Sequence, residues 1–268
     1  MDRAERTFVT RCSLAVRPFD IWTGKAPLPS SLSVSLEGID RKPLRSSDGS
    51  YVFLDVPGER CTLAIASPVY REVREEIVLP ANGASPPVIT VSLQPDRAYV
   101  PPAAGTGAIV ELRDADGLPL QGAEITAYLD DEMAVRGRLA EERSGGDGQR
   151  LKIAPGHGRL APGDAFVLKD RDGSELEWNR VTDWTEQPTV MALDRPIMGT
   201  WSRGTRLLPA VRATSDAAGL AILPFRGLLP AVCRIHAEIA MKDQRWRAVW
   251  QAEGGKVTRL PAFTVGVE

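Results

Sequence analysis

Residues 45–63 read Arg45-Ser46-Ser47-Asp48-Gly49-Ser50-Tyr51-Val52-Phe53-Leu54-Asp55-Val56-Pro57-Gly58-Glu59-Arg60-Cys61-Thr62-Leu63. Asp48-Gly49 is a turn pair: glycine adopts positive φ without steric cost, and an Asp carboxylate bonds the backbone two residues on. The aromatic and β-branched run Tyr51–Asp55 has strand composition. Val56-Pro57-Gly58 is a second turn, after which Cys61, Leu63 and Ile65 alternate with polar or small residues, the period of a half-buried strand. Turn, strand, turn and strand in so short a span predict antiparallel β structure.

The pattern spreads in both directions. Upstream, Leu32, Val34 and Leu36 share one face of residues 31–37, and Phe8, Thr10, Cys12, Leu14 and Val16 share one face of residues 7–17. Downstream, residues 71–79 and 87–93 add two β-rich runs, the second ending with Val91 and Leu93. Such turn spacing fits two stacked sheets. Residues 1–95 are therefore expected to form one β-sandwich, followed by a Pro-rich linker over 96–106.

A second sandwich is expected from residues 107–130 and 210–268. Ile109, Glu111 and Arg113 alternate with Val110, Leu112 and Asp114, and Asp116-Gly117 turns the chain. Beyond Val211 come strand-like runs at Leu220–Phe225, Ile235–Met241, Trp246–Gln251 and Lys256–Thr264. Residues 131–209 interrupt it. Asp131–Arg143, with Met133, Leu139 and Ala140 apolar, is expected to be a short helix, and residues 144–148 a flexible loop. Short strands at Ala165–Asp170, Glu175–Trp184, Thr189–Leu193 and Thr205–Leu208, with turns at Asp172-Gly173 and Arg195-Pro196, predict a small β-barrel. An insertion at a loop tip costs little chain entropy.

Two segments resemble a known module. Residues 45–63 resemble the carboxypeptidase regulatory-like domain, a seven-stranded transthyretin-like sandwich marked by an Asp-x-x-Gly turn, an aromatic strand, a Pro-Gly turn and a strand opening Tyr-x-Leu. Cys61 stands in place of that Tyr. The second sandwich is similar at Asp114-Ala115-Asp116-Gly117-Leu118-Pro119-Leu120-Gln121-Gly122-Ala123 and at Asp216-Ala217-Ala218-Gly219. Leu229-Pro230-Ala231-Val232-Cys233 replaces its Pro-Gly-x-Tyr element. The inserted block resembles small barrels of phage-tail-like particles at Gly163-Asp164-Ala165-Phe166-Val167-Leu168, Glu177-Trp178-Asn179-Arg180-Val181 and Leu193-Asp194-Arg195-Pro196.

Composition narrows the function. Gly 24 and Pro 21 in 268 residues favour turns and short strands over a helical bundle. A formal net charge of −2 without a basic block argues against nucleic acid as partner, and no apolar run is long enough for membrane insertion. Three cysteines, an odd number, do not make a disulfide framework. With a charged Met1–Arg11 they set the expectation of a cytoplasmic chain, released with a particle if at all. Cys12 and Cys61 lie on inward strand faces, as buried thiols or as a pair if oxidised.

Chemistry is sparse. His157 and His236 are the only histidines, no Cys-x-x-Cys occurs, and no Gly-x-Ser-x-Gly elbow is present. Among transthyretin-like enzymes, the intradiol dioxygenases hold iron with two Tyr and two His, and the hydroxyisourate hydrolases carry a C-terminal Tyr-Arg-Gly-Ser. Neither pattern is expected from two distant histidines or from Thr264-Val265-Gly266-Val267-Glu268. Asp164, Asp170, Asp172, Glu175 and Glu177 are interrupted by Lys169 and Arg171, which suits a solvated hairpin better than a calcium loop. No catalytic, cofactor-binding or metal residue is expected, and the chain is read as no enzyme. The candidate interaction residues are Trp178, Trp184 and Trp201, as interface anchors or as barrel core, and Arg245 and Arg247, which face away from Trp246 and Trp250.

The expectation is a mainly β chain of two Ig/transthyretin-like sandwiches, the second carrying a small barrel. Its expected role is that of a structural or interaction subunit whose partners are other protein subunits, a homo-oligomer being compatible. A phage-tail-like contractile injection particle is one such assembly; the alternative is an adhesive module for carbohydrate or a surface protein.

Overall fold

A computed structural model describes residues 10–80, 85–146, 148–170, 176–187, 189–227 and 229–266. Phe8, Arg171, Asp172-Gly173, Glu175, Val267 and Glu268, all named above, lie outside these residues. The fold is mainly β, and the chain divides into two compact units. Unit 1 comprises Met1–Asp20 and Lys25–Tyr99; unit 2 comprises Ile21–Gly24 and Val100–Glu268.

The described residues of unit 1 form seven strands: β1 (Cys12–Asp20), β2 (Ser33–Leu36), β3 (Leu44–Arg45), β4 (Tyr51–Leu54), β5 (Arg60–Ala66), β6 (Val73–Val78) and β7 (Val88–Leu93). They form one sheet ordered β3-β4-β1-β7 and another ordered β2-β5-β6. Alternation decides which side chains meet between them: Leu14, Val16, Val34, Leu36, Phe53, Leu63, Ile65 and Leu93 are buried in one cluster. The turn at Asp48 is built as its sequence implies, its carboxylate accepting from Ser50 N at 3.0 Å and Ser50 Oγ at 2.9 Å. β7 runs parallel to β1, with Ala15 opposite Val88 through Asp20 opposite Leu93. Cys61 is buried and Cys12 half-buried, and both are free thiols.

The first residues of the expected linker are folded onto unit 1. Asp96 N donates to Val69 O at 2.9 Å, and the Tyr99 hydroxyl donates to Asp20 Oδ2 at 2.5 Å. Burial and this bond to Asp20 push the Tyr99 hydroxyl well above the ordinary phenol range.

Unit 2 contains β8 (Thr106–Arg113), β9 (Glu124–Leu129), β10 (Gly137–Leu139), β11 (Arg150–Pro155), β12 (Ala165–Lys169), β13 (Leu176–Trp184), β14 (Val190–Leu193), β15 (Arg206–Thr214), β16 (Leu220–Phe225), β17 (Val232–Met241), β18 (Gln244–Glu253), β19 (Val257–Arg259) and β20 (Phe263–Thr264). One sheet is ordered β16-β8-β19, with β20 also parallel to β8. The facing sheet ends β15-β9-β17-β18. Val110, Leu112, Ile125, Leu223, Ile235 and Ile239 fill the space between. The order β16-β8-β19 over β9-β17-β18 reproduces β4-β1-β7 over β2-β5-β6.

The inserted block is a closed barrel. Its strands pair in the order β10-β11-β14-β13-β12-β15, and β10 pairs again with β15 to complete the ring. Leu151, Phe166, Leu168, Val181, Met191 and Leu207 fill it. β15 belongs to both bodies: Arg206–Ala210 pair with β12, and Ala210–Thr214 pair with β9.

The helix expected over Asp131–Arg143 is corrected. Only Glu132–Ala134 form a 3-10 turn, capped by the Asp131 carboxylate on Met133 N at 2.8 Å. Gly137–Leu139 are strand β10, with Gly137 and Leu139 buried and Arg138 between them partly exposed. Gly137 decides this locally, because a Cβ there would lie 3.1 Å from Ala154 O on the adjacent strand. Close backbone approach, and not helix propensity, sets the conformation.

Candidate binding cleft

Because β15 passes from barrel to sandwich, one face of it is shared by both. On the barrel side, Leu208 lies opposite Val167 of β12, and Val167 lies opposite Trp178 of β13. On the sandwich side, Ala210 lies opposite Tyr128 and Arg212 opposite Thr126, both on β9. The same row continues through Glu238 of β17 to Arg247 of β18. Trp178, Tyr128, Val167 and Leu208 pack together at the junction.

A cleft of about 740 Å³ opens above this row, lined among others by Tyr128, Trp178, Trp201, Arg195, Arg212 and Arg245. Leu176 and Met198, 44% and 74% exposed, form an apolar lip. Three guanidinium groups surround the Trp178 ring, with Arg212 at 3.9 Å, Arg195 at 5.3 Å and Arg180 at 5.4 Å from its centroid. The negative face of an indole attracts such cations. Burial, then the like charge of Arg195, then that of Arg180 hold the Arg212 guanidinium below its ordinary value, with Glu124 opposing. Arg195 is fixed by Nε donating to Trp178 O at 3.2 Å. Trp178 is 8% exposed, and its Nε1 is buried without an acceptor. An unmade bond of that kind costs about 1–3 kcal/mol.

The acidic side chains at the cleft are engaged. Glu238 accepts from Arg245 Nη1 at 2.6 Å. Glu177 Oε1 accepts from Met198 N at 2.7 Å, and its Oε2 accepts from Gly199 N at 3.0 Å and Trp201 Nε1 at 2.7 Å. A Cβ at Gly199 would meet Trp201 Nε1 at 2.7 Å, so this carboxylate trap requires glycine. From the other side, Arg143 and Trp201 exchange backbone bonds of 2.9 and 2.8 Å. The loop bearing Met198 is thereby clamped twice.

Beside the cleft, Asp130 holds a polar cluster. Lys169 Nζ donates to Oδ2 at 2.5 Å, Arg206 Nη1 lies 3.3 Å from Oδ1, and His236 Nε2 lies 4.0 Å from Oδ2. Burial raises the Asp130 pKa, but Lys169 first, then Arg206 and His236, outweigh it and leave the carboxyl below its ordinary value. His236 stacks on Tyr128 with centroids 5.3 Å apart. Burial lowers its proton affinity, against the pull of Asp130.

Of the five candidate residues, Trp178, Trp201 and Arg245 line the cleft. Trp184 does not: it packs on the barrel core, its Nε1 donating to Leu160 O at 3.0 Å, with Arg159 4.7 Å over its ring. Arg247 is exposed on the same sheet face, opposite Glu238, outside the lining. The sequence reading missed Arg195, Arg212, Tyr128 and the clamp made by Glu177. A signal for Arg212 was present, since it is the one charge inside the apolar run Leu207-Leu208-Pro209-Ala210-Val211-Arg212-Ala213.

His157 is exposed on a loop, its carbonyl accepting from Arg136 Nη1 at 2.9 Å. Asp164 is paired with Arg226. Among the described residues no group of three His, Cys, Asp or Glu side chains is placed to hold a metal ion. None of their helices is long and apolar enough to cross a membrane.

No family model matches this chain, and no curated protein matches it. Among solved structures it is similar to the shaft pilin SpaA of Lactobacillus rhamnosus GG (D295N mutant), with TM-score 0.26, 10% identity, and coverage of 96% of this chain and 100% of that one. It is similar also to the Bacillus anthracis TIE protein, with TM-score 0.26, 11% identity, and 95% and 50% coverage. The major pilin subunit BcpA of Bacillus cereus gives TM-score 0.26, 9% identity, and 93% and 69% coverage. No residue and no role is carried over from any of them.

Proposed function

We propose that this chain is a non-enzymatic interaction subunit of a larger protein assembly, with its sandwiches as spacers and the cleft of unit 2 as the docking site for another subunit. The carrying observation is the make-up of the cleft. Aromatic residues, methionine and arginine are the types enriched in protein interfaces, and here Trp178, Tyr128, Met198, Arg195 and Arg212 converge on one concavity. The assignment of both sandwiches to the carboxypeptidase regulatory-like family belongs to this proposal; the repeated strand order supports it.

The test is the size of the native species. Wild-type chain in extracts of its own host is expected to run well above its 29.1 kDa mass. The Leu176→Asp/Met198→Asp double variant, which charges the lip without touching the core, is expected to run as the free chain. A wild type recovered only at its own mass refutes the proposal.

A further inference from the structure

We infer that β18 is a self-pairing edge, and that two copies of this chain join by antiparallel pairing of β18 with β18 about a two-fold axis at Val249. The cleft takes no part in this contact.

Closure of the barrel by β10 and β15 leaves β18 as the free end of its sheet, and at ten residues it is the longest edge strand among the described residues. Its pairing with β17 is unbroken from Val232 opposite Glu253 to Met241 opposite Gln244. It carries neither a proline nor a bulge, two of the devices that blunt an edge. Backbone direction alternates along an antiparallel strand. Gly254 N donates to Ala231 O across the hairpin at 2.9 Å, so the even-numbered residues of β18 face β17. The odd-numbered Arg245, Arg247, Val249 and Gln251 turn their N–H and C=O groups outward. Among the described residues no strand lies there to receive them. Glu253 ends the open run, because its N–H donates to Thr258 Oγ1 at 3.1 Å.

The strand's own sequence fits a second copy. Exposed Arg245, Arg247, Val249, Gln251 and Glu253 alternate with Trp246, Ala248, Trp250 and Ala252, which face the core. Turned antiparallel on itself about Val249, β18 sets Trp246 opposite Ala252 and Trp250 opposite Ala248, large against small at each of these inner positions. On the open face Val249, 58% exposed, meets its own copy, Arg247 meets Gln251, and Arg245 meets Glu253. A shift of two residues destroys the match: in one direction Trp246 meets Trp250, and in the other Trp250 meets itself. A shift of one residue sets outward-turned groups against groups already bonded to β17. Arg245 and Glu253 are not idle in the single chain, where Arg245 Nη1 donates to Glu238 and Glu253 pairs with Lys256. Both pairs are exposed and hold their groups weakly, and a guanidinium has donors enough for two carboxylates. Such a contact is isologous: the same strand serves on both sides, and its opposite charges meet across the axis.

The test uses the purified full chain with no other protein present. One strand per copy is a small interface, so the chain is expected to sediment at twice its 29.1 kDa mass at about 100 µM and to dissociate at about 1 µM. Val249→Lys sets like charges face to face on the axis and is expected to raise the dissociation constant at least tenfold. Leu176→Asp/Met198→Asp leaves β18 intact and is expected to keep the dimer, so failure of the docking proposal and failure of this one are told apart. Register is read by mild oxidation. In Val249→Cys the new thiols lie on residues about 5.5 Å apart, Cα to Cα, and a disulfide-linked dimer is expected. In Arg245→Cys they lie eight residues out of step, about 27 Å apart, and none is expected. Wild type oxidised in parallel reports any link through Cys12, Cys61 or Cys233. The thermal midpoint of tryptophan emission checks the fold of each variant. A wild type that stays at its own mass at about 100 µM overturns the inference. So does a dimer unmoved by Val249→Lys, or Arg245→Cys crosslinking as readily as Val249→Cys.

Discussion

Replacing Glu177 by Gln tests whether the cleft is pre-built. The carboxylate accepts three hydrogen bonds, from Met198 N, Gly199 N and Trp201 Nε1. A Gln amide accepts only through its oxygen and turns an NH₂ toward donors. With its oxygen in the place of Oε2 the amide still accepts from Gly199 N and from Trp201 Nε1, on a residue 3% exposed, while its NH₂ meets Met198 N, whose residue is exposed and whose N–H is re-solvated by water. A bond to a charged group is worth about 1.5–3 kcal/mol and one between neutral groups about 0.5–1.5 kcal/mol, so loss of the charge weakens the two bonds that remain, and water replaces the third. The expected loss is about 2 kcal/mol. At about 2–4 °C per kcal/mol for a unit of this size, the melting midpoint falls by about 4–8 °C. All six tryptophans lie in unit 2, so intrinsic emission during thermal unfolding follows this unit. Glu141→Gln, an exposed carboxylate on the same barrel, is expected to stay within about 0.5 kcal/mol of wild type. A Glu177→Gln chain that melts with Glu141→Gln would refute the claim that this carboxylate organises the loop.

Three further outcomes are expected. Gly219→Ala is destabilising by about 1–3 kcal/mol from backbone strain at φ +73, and by more because its Cβ would lie 2.3 Å from Leu112 O; Gly117→Ala, at φ +80 with nothing within 4 Å, shows the strain alone, and equal losses in urea titration would contradict this. His236 binds its proton less readily folded than unfolded, so its contribution is full above 6.5 and fades as pH falls below it. The midpoint of unit 2 is therefore expected to drop between about pH 7.5 and 5, with a flatter profile in His236→Gln; a wild-type midpoint that rises on acidification is the contrary result. Leu63→Ala, at a fully buried site of unit 1, is expected to cost about 2–5 kcal/mol by circular dichroism, and a cost under about 1 kcal/mol would mean that the two sheets do not pack as described.

Much of the fold is legible because strand periodicity is local. Alternation alone places Val34, Phe53 and Leu63 in the core without knowledge of their partners, and it places Arg245 and Arg247 on the face opposite Trp250. It fails at Gly137–Leu139, where three residues are too few to show a period and the deciding contact, with Ala154, comes from another strand. The cleft is half legible. Tryptophans announce themselves by rarity, which singles out Trp178 and Trp201. Arg212 reaches Trp178 only through the pairing of β13, β12 and β15, and Arg195, just beyond β14, through the pairing of β13 and β14, which no short stretch encodes. Glu177 reads as one more acid near a hairpin turn because its three donors lie beyond residue 197.

Strand β15 has a consequence for how this chain can change. Its nine residues are half barrel stave and half sandwich strand. Deleting the inserted block at its sequence boundaries would therefore amputate a sheet member that β9 needs, and swapping in a foreign block would require it to supply the same shared strand. The barrel is thus less a detachable cassette than a graft whose vessels have joined those of its host.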